Sequence, residues 1–336
     1  MIPALVLILA VVLVGPLLFP PIERNIEFFF VAGGMSAAVI AGEFGWPLMH
    51  KALTEPIAIT IAVFIFGAAV HWCRPALDRG IKGLAASLSA RLVCFVLIVV
   101  LGLLSSVITA VVASLVLVES IALLGLDRAS EITAVVLACF AIGLGAALTP
   151  VGEPLGAIAT SALGADFWYL MRLLGPLVVG GILLVAAVAL LMPARRAHAS
   201  HTAKIDGGIR HTAYRALRVY AFVAGLVGLS WGLRPLVDAY ISRMPDGWLF
   251  WLNSVSALVD NATLTAAEIG PSLSAGQQRA ILMGLLVSGG MLVPGNIPNI
   301  VAASRLGITS REWARVGLTA GLPLMVLYFL ILLRLG

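Results

Sequence analysis

Apolar residues fill this chain in long blocks, and polar residues collect in short stretches between them. Several blocks run for about 18 residues or more without a charge, enough to cross about 30 Å of hydrocarbon as a helix. The short alternating segments that mark a membrane β-barrel are absent. The pattern predicts an all-α polytopic membrane protein built from two inverted repeats. Each repeat holds a re-entrant hairpin and a proline-broken helix, in a total of roughly nine to ten spans plus two hairpins.

The first half covers 1–193. Scaffold spans occupy 1–104. The first, at 2–20, lacks the basic start of a secretory signal and reads as a retained span. The second, at 25–42, carries Gly33, Gly34 and Ser36, which let a neighbouring helix approach closely. The third, at 56–73, starts with Pro56 as a first-turn residue. A span from 91 leads into a hydroxyl-rich hairpin at 105–126. A helix over 131–163 breaks near Thr149–Pro154, and a span at 168–192 closes the half.

Residues 194–213 form a basic linker, cytoplasmic by the excess of Arg and Lys. The second half, 214–336, repeats the order: a span at 214–236, a hairpin at 250–270, a helix over 278–306 broken at Pro294–Pro298, and a last span at 312–334. This count leaves the basic Arg74–Ser89 loop on the side away from the linker.

Composition sharpens the class. Hydrophobic residues make up 61% and charged residues 11%, where a soluble domain carries about 25% charged. The net charge of +5 sits in loops and points to topology, not to nucleic acid. Cys73, Cys94 and Cys139 have no ligand spacing and read as small apolar fillers. His198, His201 and His211 match no common metal-ligand spacing. His71, near a span end, reads as a snorkelling residue. No Ser/His, His-Glu-x-x-His or paired-Asp pattern is present, so the chain is not expected to be an enzyme.

The polar groups inside apolar sequence carry the chemistry. Gly145-Ala-Ala-Leu-Thr149-Pro150-Val-Gly-Glu153-Pro154 overlays Gly289-Gly-Met-Leu-Val-Pro294-Gly-Asn296-Ile-Pro298, both reading G-x-x-L-x-P-x-x-x-P. Ala113-Ser114-Leu115 overlays Ala262-Thr263-Leu264, with Glu119 opposite Glu268. An ionised Asp260 in a re-entrant hairpin needs a cation or a proton, and it otherwise caps the hairpin's second helix beside Thr263. Glu153 handles an ion or proton, or sits against the dipole of the resumed helix. Asn261, Thr149, Ser288, Asn296 and Asn299 supply neutral oxygens of the kind that hard cations take. Glu119 and Glu268 read as interfacial anchors. Two acids without Lys or Arg in this core favour a cation exchanged against protons.

The strings TPVGEPLGAIA and VDNATLTAAEIGPSL with GGMLVPGNIPNI resemble a little-characterised family of bacterial and archaeal cation transporters. That family belongs to the ion transporter superfamily, with D-type sodium/proton antiporters, arsenite permeases and dicarboxylate carriers. The resemblance implies inverted repeats, two re-entrant hairpins and a homodimer. It implies an ion-handling role for Asp260 and Asn261, and for Thr149, Pro150, Gly152 and Glu153. The first hairpin departs from the antiporters, with Val111-Val112 where they carry a polar pair.

The expected function is sodium or lithium exchange for protons by an elevator-type or alternating-access mechanism. The metal-binding set is Asp260, Asn261, Glu153, Thr149, Asn296, Asn299, Thr263 and Ser288. The alternative is a sodium-coupled carrier of a small inorganic or organic anion. No resident cofactor is expected. The expected partners are the lipid bilayer of the plasma (inner) membrane, the small transported ion and a second copy of the chain.

Overall fold

The structure, a computed structural model, describes residues 1–19, 22, 25–192, 209–257 and 261–335. It is helical throughout, with no strand among the described residues. Six helices there are long and apolar enough to cross a membrane. This makes the chain a membrane protein. Of the nine to ten spans expected, those at 2–20 and 25–42 form apolar helices, α1 and α2 defined below, that are shorter than these six.

The helices are α1 Ile2–Leu18, α2 Ile26–Ala41, α3 Trp46–Ser87, α4 Ala90–Ile108, α5 Ala110–Leu124, α6 Arg128–Ala146, α7 Pro154–Leu163 and α8 Tyr169–Leu191. After the linker come α9 Ile209–Ala239, α10 Asp246–Leu252, α11 Asn261–Glu268, α12 Ala275–Gly289, α13 Ile297–Leu306 and α14 Ser310–Leu335. Short 3₁₀ turns at Asn253–Ala257 and Val293–Gly295 lie beside α10 and α13.

Helices in lipid gain little from hiding apolar surface from one another, so close packing of small residues holds them together. The α2–α9 pair shows this. A Cβ on Gly34 would lie 2.8 Å from Leu229 N, and one on Gly232 would lie 2.5 Å from the Ala37 Cβ. The backbones touch there. Arg218 Nε donates to Glu27 Oε1 (2.8 Å), and its second nitrogen donates to Oε2 (2.9 Å). Glu27, Gly34 and Ala37 meet Arg218, Leu229 and Gly232 in rising order, so α2 and α9 run in the same direction.

The structure corrects the third span. α3 begins at Trp46 with Pro47 in its first turn, and it runs for 42 residues through Pro56 and Pro75. Pro56 therefore sits inside the helix. Thr60 Oγ1 donates to the Pro56 carbonyl (2.6 Å), the kind of side-chain bond that lets a membrane helix tolerate proline. Residues 42–45 turn the chain sharply from α2 into α3. α3 must then run back, and its far end at Ser87 lies toward the end of the molecule where α9 begins. The Arg74–Ser89 stretch is thus mostly helix, on the linker side and not opposite it.

Residues 105–108 also belong to α4. The chain breaks once, at Thr109 (φ 75°, ψ 149°), where the side chain accepts from Val112 N–H and starts α5. A span ending at 104 followed by a separate hairpin is not what forms.

Two outcomes test this packing. Gly34→Leu forces α2 off α9 and should lower stability by about 1–3 kcal/mol, read as a drop in melting temperature of the purified protein. Single cysteines at Ser87 and Asp166 should label with a membrane-impermeant reagent from opposite sides of the bilayer, because α8 leads from residue 169 back to the linker.

Candidate functional site

Two helices stop in the middle of the protein and restart. α6 ends at Ala146 and α7 restarts at Pro154; α12 ends at Gly289 and α13 restarts at Ile297. Proline in the first turn costs no hydrogen bond there, since first-turn N–H groups have no helical partner. Both restart helices follow an extended N-cap residue: Glu153 at φ −155°, ψ 163°, and Asn296 at φ −154°, ψ 147°. Both end at a left-handed glycine, Gly164 and Gly307.

The contacts around the breaks match pair by pair. Ser105 Oγ donates to Ile142 O (3.0 Å), and Ser256 Oγ donates to Leu285 O (3.0 Å). Gly145 lies against Gly102 O; at the corresponding place Ser288 Oγ donates to Asn253 O (2.8 Å). Ala110 N–H donates to Gly152 O (2.8 Å). Asn261, with its amide nitrogen turned to donate as its neighbours require, reaches Gly295 O at 2.9 Å. A Cβ on Gly152 would strike Ala146 O, and one on Gly295 would lie 2.6 Å from Gly289 O.

These pairs correct the sequence overlay by one residue. Aligning prolines set Glu153 opposite Ile297, whereas the helix caps and the tight glycines set it opposite Asn296. Prolines mislead because the first turn accepts them at more than one position. In the register of Ser105 with Ser256, Glu119 falls opposite Gly270, so Glu119 and Glu268 do not correspond either. Both acids are buried, which rules out the role of interfacial anchor.

The structure places the expected residues as follows. Around the second break, Asn261 donates to Ser256 Oγ (3.1 Å), and Ser256 Oγ meets Ser288 Oγ (2.7 Å). Asn299 Nδ2 donates to Gly289 O and Leu292 O, each at 2.8 Å, closing the carbonyls that the break opens. Asn299 Oδ1 is buried with no donor among the described residues. Thr263 is buried in the first turn of α11. At the first break, Thr149 Oγ1 donates to Ser106 O and accepts from Val151 N–H. Glu153 is buried at the N-cap of α7 but makes no capping bond with its side chain. Asn296 links the two breaks, its amide nitrogen lying against Gly143 of α6. Asp260 lies outside the described residues.

Sequence reasoning missed Ser105, Ser256 and Asn253 as members of this network. Their signal was present: a hydroxyl or amide in an apolar run within the expected hairpin that precedes each broken helix. Its meaning depends on which carbonyl it faces, and that is tertiary information.

The halves also interlock. α13 packs against α5 and α6, and α7 packs against α11 and α9. A cavity of about 480 Å³ opens between them. Glu27, Arg218 and Arg305 line one end; Val111 and the restart residues Pro154 and Ile297 line the other. It thus runs from the linker side to the start of both restart helices.

A family model described as "Protein of unknown function (DUF1646)" matches residues 2–335. The chain belongs to this family. No curated protein matches it. The DUF1646 match spans both breaks and the linker, so the paired breaks lie within one family unit.

Asn299→Ala removes two donors and leaves two buried carbonyls open. It should cost about 2–4 kcal/mol, measured by denaturation of the purified protein. A loss below about 0.5 kcal/mol would mean that water or another donor replaces the amide.

Proposed function

We propose that this chain is a secondary active transporter of the plasma (inner) membrane that exchanges sodium or lithium for protons by alternating access, of the elevator type, as a homodimer. The carrying observation is the pair of matched breaks, with a cavity reaching the restart residues of both. Interrupted backbone at membrane depth is tolerated where it is buried in protein or lines a water-filled path. Paired discontinuous helices at a repeat interface are the build of many carriers. In this reading the halves are inverted repeats, and α4–α5 and α10–α11 are the re-entrant hairpins.

The chemistry of the breaks suits a small hard cation. Thr149, Asn261 and Asn299 bring neutral side-chain oxygens to the two breaks. Sodium and lithium take such ligands. Glu153 supplies a buried carboxylate whose charge the cation or a proton balances. In this reading the cavity is the access path on the linker side.

One observation favours a second reading. Pro154 and Ile297 on the cavity wall are the first residues of α7 and α13, and helix N-termini attract negative charge. A small anion carried with sodium would sit there.

Proteoliposomes holding the purified protein and a pH-sensitive dye separate these readings. Under exchange, sodium or lithium gradients collapse a preset pH difference, choline does not, and Glu153→Gln slows the collapse at least tenfold. A flux equal to that of empty vesicles sinks the exchange reading. Sodium-dependent current that appears only with a particular anion favours the second.

A further inference from the structure

We propose that Glu268 is the carboxylate that binds the exchanged proton, tied to the second break by a continuous chain of buried polar groups. This assignment rests on the transport reading above and deepens it.

Glu268 is the last residue of α11 and is only 8% exposed. Among the described residues its one hydrogen-bond partner is an amide: Asn253 Nδ2 donates to Glu268 Oε2 (2.8 Å) and also to Leu249 O (2.8 Å). A single neutral donor is a poor substitute for water around a carboxylate at this depth. Its charge therefore calls for a proton or a cation as a partner. Among the described residues the neighbouring charges are otherwise engaged. On α9, Asp238 Oδ1 accepts from Ser272 (2.6 Å), and the Arg234 guanidinium stacks 4.0 Å over Trp231. Asp246 of α10 and Arg279 of α12 line a separate pocket of about 220 Å³, and α7 carries no charge. Among the described residues none of these forms an ion pair with Glu268.

Asn253 makes the connection. It is fully buried, and its Oδ1 has no donor among the described residues. Its backbone oxygen accepts from Ser288 Oγ (2.8 Å), Ser288 Oγ meets Ser256 Oγ (2.7 Å), and Ser256 Oγ accepts from Asn261 (3.1 Å). Asn261 in turn holds Gly295 O (2.9 Å), next to Asn296 at the restart of α13. The state of Glu268 is thus felt at the break through four residues that each hold the next. The proton step is simple: the Glu268 O–H bond breaks, the proton leaves to water on one side, and the carboxylate charge is then balanced by the cation held at the break. Cation release lets a proton from water on the other side re-form the bond. Asn253 acts as a positioning residue.

The test uses the full-length protein in detergent, with sodium chloride against choline chloride across pH 5 to 9. The readout is the sodium concentration that half-stabilises the fold. Protons compete with sodium in the wild type, so apparent affinity should rise at least tenfold with pH. Glu268→Gln should flatten that dependence and abolish sodium-driven proton movement in vesicles. Asn253→Asp places a second carboxylate beside the first, which should move the midpoint up by about one pH unit. Glu268→Gln with the wild-type slope overturns the assignment alone. If that variant does not fold, an unmoved midpoint in Asn253→Asp overturns it. A wild type that responds to no cation overturns the transport reading and this assignment together.

Discussion

Backbone polar groups at membrane depth must be satisfied inside the protein, and the rest of this structure follows from that constraint. Each break frees carbonyls and N–H groups that lipid cannot serve. The protein answers with short-range donors: the Asn299 amide on Gly289 O and Leu292 O, the Ala110 N–H on Gly152 O, and the Asn261 amide on Gly295 O. Each needs a second element close by, so the helices before the breaks cannot drift. Glycines at 102, 145, 152 and 295 sit where any side chain would push those elements apart.

The two halves solve the same problem with different chemistry. In the first, backbone meets backbone: Gly145 lies against Gly102 O, and Ala110 N–H serves Gly152 O. In the second, side chains take over: Ser288 reaches Asn253 O, and Asn261 reaches Gly295 O. A polar side chain can rearrange where a packed glycine cannot. At these two contacts the second half uses side chains that can rearrange, where the first half uses packed backbone.

Much of the fold was legible because proline and glycine leave marks that composition cannot hide. The helix ends at Ala146, Pro154, Gly289 and Ile297 fall where Thr149–Pro154 and Pro294–Pro298 announced breaks. The register was not legible, since prolines fit both the first and second positions of a helix. Pro56 misled for a related reason: proline inside a membrane helix and proline at its start look alike until Thr60 is seen bonding back to it. Glu268 read as an anchor because its place near a hairpin end suggested water. Only the facing Asn253, fifteen residues away on the other arm, shows that it is buried. Of the candidate site, the residue types were readable. Their partners, and the link from Asn296 to Gly143, were not.

The interlocking of the restart helices carries a consequence for how the chain is made. α7 finds its packing partner α11 only after the linker, α9 and α10 have been synthesised, and α5 waits longer still for α13. The first half thus leaves the ribosome before the second-half partners of its broken helix exist. Folding cannot finish half by half; it must end with a late, concerted docking of long sequence separation, the kind of step that is slow and exposed to misassembly.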